Sequence, residues 1–131
     1  MEPEGVVDVL RRLLAALVSG GTVVDLTMAP PDEVVEVNGE IVGRLDGSLF
    51  FPRALAAGAG LDALAAEGLL ALVREEPVTV IVRYPVGADL VEDMVDRSYT
   101  TMPIELAERL ATVETECLLY SNCLVRTFRK L

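Results

Sequence analysis

The stretch PIELAERLATVETECLLYSNCLVRTFRKL, Pro103 to Leu131, decides the fold. Leu106, Leu110, Val113, Cys117, Tyr120, Leu124 and Leu131 advance in steps of four and three, with Thr127 and Phe128 filling the last gap. Steps of this kind make a heptad seam on one face of a helix. Pro103 suits a first helical turn, where a missing N–H costs nothing. Glu105 and Glu108 come early, and Arg126, Arg129 and Lys130 come late. That order complements the helix dipole. The spacing therefore predicts a long C-terminal helix over 103–131. Unbroken, it spans about 43 Å, whereas a globule of this chain length has a diameter of only ~36 Å. An apolar seam that overhangs its own domain needs a partner. If Ser121-Asn122 breaks the helix, both halves pack at home instead.

Cys117 and Cys123 are the only cysteines. Six residues apart on a helix, their Cα atoms lie ~9 Å apart along the axis. That exceeds the ~7 Å reach of a disulfide. They are expected as small packed thiols.

Upstream, EVVEVNGEIVGRL at 33–45 is a hairpin, since Asn-Gly between β-rich runs favours a type I′ turn. The pairing predicted is Val37 with Glu40, Val35 with Val42, and Glu33 with Arg44, the last as a rim ion pair. TVVDLTM at 22–28 is a strand, and the prolines of APPDE end it. Residues 5–19 form an amphipathic helix with Val6, Val9, Leu10, Leu13 and Leu17 on its stripe. Gly20-Gly21 stops it. LFF at 49–51 adds a short strand, and the helix from Pro52 ends at the glycines of AAGAG. Residues 62–76 form a buried helix that Pro77 stops. VTVIVRY at 78–84 is a central strand, and PVGADLVEDMVDRS turns into a helix. The expected fold is a single α+β domain over 1–131. A small, mainly antiparallel sheet is covered by helices, with the long helix packed alongside.

The chain has 131 residues, 11 basic against 21 acidic, and a net charge of −10. Such a balance disfavours nucleic-acid backbones and anionic membrane surfaces. No apolar run reaches bilayer-spanning length, and the acidic MEPEG start is not a secretory leader. A cytoplasmic protein is expected. Histidine is absent, which removes the commonest general base and transition-metal ligand.

Two other groups remain as candidates. Arg83, Tyr84, Arg97 and Tyr99 could grip an anionic small molecule, because arginine forks match carboxylates and phosphates. Asp89, Glu92, Asp93 and Asp96 recur at helical steps and could offer a divalent metal a carboxylate stripe, though a solvated face is the ordinary reading. No glycine-rich phosphate loop is present, and no cofactor is implied.

LRRLLAALVSGGTVVDLTMAPPDEVVEVNGEIVGRLDG, Leu10 to Gly47, resembles the N-terminal domain of pilus-retraction and secretion ATPases. Those domains run from a helix to an "sDlHl"-like strand and a "PP-x-x-V-x-V-x-G-E" hairpin. Asp25, Leu26, Pro30, Pro31, Val35, Val37, Gly39 and Glu40 match, over less than a third of the chain. No Walker motif follows, so the resemblance implies no ATPase activity. In size, acidity and helix–strand order the chain also looks like type III secretion chaperones. Those usually place a strand pair before the last helix, where one strand is expected here. The leading expectation is a non-catalytic homodimeric interaction protein, an adaptor, chaperone or regulator. Its contact face is Leu110, Val113, Cys117, Tyr120, Leu124 and Phe128. The alternative is a small enzyme or sensor working through the Arg/Tyr set, with Asp93 or Asp96 as acid/base or metal ligand.

Overall fold

The computed structural model describes residues 3–131. In chain order the elements are α1 (Pro3–Ala16), β1 (Thr22–Met28), β2 (Val34–Val37), β3 (Glu40–Arg44), α2 (Phe51–Ala66), β4 (Leu70–Tyr84), α3 (Gly87–Met94), α4 (Ile104–Ala111) and β5 (Cys117–Lys130). The mixed α+β class is as expected, and the strands join in one sheet. Its order is β1-β5-β2-β3, with β4 also pairing β5. Antiparallel β1–β5 pairing is marked by Gly20 N–H to the Lys130 carbonyl (2.9 Å) at one end and Ala29 N–H to the Asn122 carbonyl (2.8 Å) at the other.

The long C-terminal helix is not formed. α4 stops at Ala111 and residues 117–130 are strand β5. From Cys117 onward the chain has no Ala or Glu, and it is rich in residues of weak helix propensity. Its buried side chains alternate as Cys117, Leu119, Ser121 and Cys123, then Arg126 and Phe128 after a one-residue shift. That is the two-residue period of a strand. The heptad spacing ran across both faces of this strand and describes neither.

The helix expected at 62–76 is also corrected. α2 ends at Ala66 because Gly68 takes a positive φ of 79°. Its N–H donates to the Ala65 carbonyl, and Leu69 N–H donates to the Leu64 carbonyl. This pair of bonds is a Schellman stop. Everything from Leu70 to Tyr84 is then strand, with Pro77 inside it. Proline is tolerated there because β4 lies at the outside of the sheet, so β5, not 78–84, is central. The strand expected at 49–51 is absent: Gly47 accepts from the N–H groups of Phe50 and Phe51, and Phe51 begins α2. Gly58 and Gly60 do not end that helix.

The hairpin has both turn residues in the left-handed region, Asn38 at φ 52° and Gly39 at 81°. Val37 pairs with Glu40 as expected. A bulge then sets Val35 opposite Gly43 and Val34 opposite Arg44. One extra residue on β3 thus takes Glu33 away from Arg44.

The chain forms two compact units. The first comprises residues 1–27, 52–78 and 123–131. Its core is Leu14, Leu61, Leu64, Leu70 and Phe128, with Leu10, Val23 and Ala65 against it. The buried stripe of α1 centres on Leu14, leaving Val9 and Leu13 exposed; the side chain of Val6 lies outside the described residues. Lys130 donates to the carbonyls of Leu14 and Leu17, satisfying oxygens at the end of α1. The second unit comprises residues 28–51 and 79–122. Val35, Leu45, Tyr84, Leu90, Met94, Leu106, Leu110, Cys117 and Leu119 make its core. Gly87 sits where α3 meets the end of α4, its N–H bonded to the Val113 carbonyl (3.0 Å).

Candidate functional site

Successive strand residues face opposite sides of a sheet, so Arg83 and Tyr84 at the end of β4 separate. Arg83 points to solvent and pairs with Glu116 at 3.0 Å. Tyr84 turns inward, 9% exposed, and its hydroxyl donates to Asp93 at 2.7 Å. Arg97 donates to Glu33 at 2.6 Å, and Ser121 donates to the other Glu33 oxygen at 2.5 Å. Glu33 itself is only 3% exposed. The charges of Asp93, Arg97 and Glu33 all act on Tyr84, so the five side chains form one cluster in the second unit. Burial, first, and then the bond to Asp93 push the Tyr84 hydroxyl up to about 12.

Two members of the expected anion-binding set, Tyr84 and Arg97, are therefore neighbours. Arg83 lies elsewhere, and Tyr99 is largely exposed. Glu33 and Ser121 were missed. Glu33 was assigned to Arg44 across the hairpin, and the bulge that reassigns it leaves no mark in the sequence. In the sequence, Ser121 reads as a helix breaker.

Of the acidic stripe, Asp93 is held by Tyr84, and Asp89, Glu92 and Asp96 stand in solvent. Among the described residues no three ligating side chains gather as a metal site. The expected contact face is divided. Leu110, Cys117 and Phe128 are buried in the two cores, and Val113 packs against one of them. Tyr120 and Leu124 are half-buried. Tyr120 keeps its proton to higher pH than an ordinary tyrosine, through its bond to Glu36 and partial burial. Burial likewise raises the Cys117 thiol. Both cysteines are buried and no disulfide joins them.

The first unit holds a second buried polar cluster. Arg126 donates to Asp62 (2.7 Å), to Asp25 (3.3 Å) and to the Gly58 carbonyl (3.0 Å). Its guanidinium also lies 5.2 Å from the Phe128 ring centre. Among the described residues no buried side-chain nitrogen or oxygen lacks a partner. Every fully buried polar side-chain atom of both clusters thus has a partner, and a satisfied buried network fixes geometry.

Among the described residues β1, β3 and β4 each pair with a single strand, and β4 is the longest of these edges. Its one partner among them is β5, which leaves its outer edge of backbone N–H and C=O groups open. In the second unit, Val80, Ile81 and Val82 follow one another at 38%, 47% and 38% exposure. Because neighbours alternate, this run shows apolar surface on both faces of the sheet. In the first unit, Leu72 and Val73 on the same strand are exposed too. No helix among the described residues is long and apolar enough to cross a membrane. Compared with known proteins, the chain matches no family model, no curated protein and no solved structure.

Proposed function

We propose that the chain is a non-catalytic interaction protein that self-associates along the outer edge of β4, two copies pairing strand to strand. The observation that carries this reading is the exposed run Val80-Ile81-Val82 on an edge strand. A long apolar edge is a template for another strand, and proteins ordinarily blunt it with proline, lysine, a bulge or a covering element. Pro77 interrupts β4 in the first unit, but residues 79–82 carry neither proline nor charge. Charge supports a second copy as the occupant. β4 holds Arg74, Glu75, Glu76 and Arg83 and is neutral, whereas the chain carries −10. Two copies meeting at β4 avoid the repulsion that their other acidic surfaces bring.

This reading keeps the homodimeric adaptor, chaperone or regulator expected from the sequence and moves its contact surface. The helical seam is gone, and β5 is the strand against which β1, β2 and β4 pair. The anion-binding alternative has less support, because Arg97 already neutralises Glu33 and Tyr84 is bonded to Asp93.

Size-exclusion chromatography with light scattering over 10–500 μM, on the order used for weak dimers, tests the reading. The full-length chain is expected to dimerise. Ile81→Lys, an edge-blocking change at an exposed site, is expected to weaken the dimer about tenfold or more. A full-length chain that stays monomeric throughout, or an Ile81→Lys chain that dimerises equally well, refutes the edge as the contact.

A further inference from the structure

The first unit contains an apolar cavity of about 220 Å³ between α1, α2 and the strands. Leu10, Leu14, Leu17, Val23, Leu61 and Leu64 supply most of its wall, and among the described residues Thr22 is its one polar side chain. Leu13 also lines it while remaining exposed. An apolar cavity of about 150 Å³ stays dry and holds benzene. In the same proportion, this one has room for roughly nine carbons.

What lies beside it indicates the other end of a ligand. A second cavity of about 240 Å³ is lined by Arg11, Leu14, Ala15, Leu69 and Lys130, and Leu14 is a wall of both. Two of the chain's 11 cations therefore gather here in an otherwise acidic protein. Lys130 bonds the carbonyls of Leu14 and Leu17, and an ammonium has a third N–H to give. Arg11 pairs with Glu67 at 2.7 Å, both side chains about half exposed. A pair so open to water exchanges partners readily.

We propose that the first unit binds a medium-chain carboxylate of about nine carbons, its tail in the leucine-lined cavity and its head between Lys130 and Arg11. The cavity shares only Leu70, the first residue of β4, with that strand, and none of its lining belongs to the run Val80-Ile81-Val82 on which the proposed contact rests.

Isothermal titration of the full chain with nonanoate, kept below micelle-forming concentration, tests this. Nonanoate is expected to bind one to one and about tenfold or more tighter than nonyltrimethylammonium, with acetate giving no heat. Leu10→Phe fills the cavity and is expected to weaken nonanoate about tenfold. Lys130→Gln is expected to bring nonanoate to within about twofold of nonanol. Circular dichroism confirms that each variant is folded, and Leu17→Phe on the same wall replaces Leu10→Phe if that variant is not. Nonanoate binding no tighter than the cationic analogue overturns the head-group assignment. Nonanoate binding unaffected by the filling variant, or absent altogether, overturns the site.

Discussion

Tyr84→Phe is expected to reverse its effect on stability between neutral and alkaline pH. The Tyr84 hydroxyl is buried and donates to Asp93 at 2.7 Å. Burial and that bond raise its pKa from an ordinary 10.0 to about 12. In the unfolded chain it titrates near ~10. Below pH ~10 both states keep the proton, and the native contacts contribute fully. Above it the unfolded chain gives up a proton that the fold retains, so stability falls with rising pH until ~12. The loss amounts to about 2 kcal/mol by pH 11.5. Phenylalanine cannot ionise, so the variant escapes this loss. At pH 7 it lacks the bond to Asp93, at a cost of about 1 kcal/mol, toward the low end because water can replace the hydroxyl at the exposed carboxylate. The two stability curves should therefore cross: wild type ahead by about 1 kcal/mol at pH 7 and behind by a similar amount near pH 11.5. Tyr120 and Cys117 also hold their protons more tightly in the fold, but they do so in both proteins and cancel in the difference. Urea unfolding at a series of fixed pH values measures the gap. Parallel curves from pH 9 to 11.5 would show that Tyr84 is not held in the environment described.

Two further substitutions probe the packing of each unit. A Cβ at Gly87 would overlap the Leu110 carbonyl oxygen, and the Gly87 N–H is tied to Val113. Because the clash is with backbone, Gly87→Ala should cost about 3 kcal/mol or more in urea unfolding, at the upper end for overpacking. Gly43→Ala meets only the movable end of the Leu106 side chain, at 2.7 Å, and should cost about 1–2 kcal/mol; equal losses would contradict this contrast. In the first unit, Arg126→Met removes the cation that Asp25 and Asp62 share and should cost about 3 kcal/mol, with Asp25→Val in the same chain recovering part of it. No recovery in the double variant would mean that the loss is one of packing.

The contrast between the hairpin and β5 shows which structures a single sequence displays. Asn38-Gly39 was legible because only residues that tolerate positive φ can form that turn, and the demand is met within two positions. β1 and α3 were legible because their periodicity is local. β5 was hidden because two of its inward positions, Ser121 and Arg126, are polar. Their partners sit 88 residues away at Glu33 and 101 away at Asp25. Without those partners a strand reading has to bury an unpaired hydroxyl and an unpaired charge, and the heptad reading wins by default. The candidate cluster was half-legible for the same reason. Tyr84 and Arg97 stood out by type, while Glu33 depended on a bulge.

The pairs that concealed β5 also fix its register. A slip of one residue in a strand sends every side chain to the opposite face. For β5 it would carry Ser121 away from Glu33 and Arg126 away from Asp25 and Asp62, leaving Glu33 with Arg97 alone in the second unit and both aspartates without their arginine in the first. Each such loss costs about 1–3 kcal/mol or more. An all-apolar β5 would be easier to recognise and would lose less on slipping. Two inward polar residues, each answered by a distant acid, penalise the slipped pairing twice. Within each unit, β5 is thereby held to one alignment against the strands it pairs with.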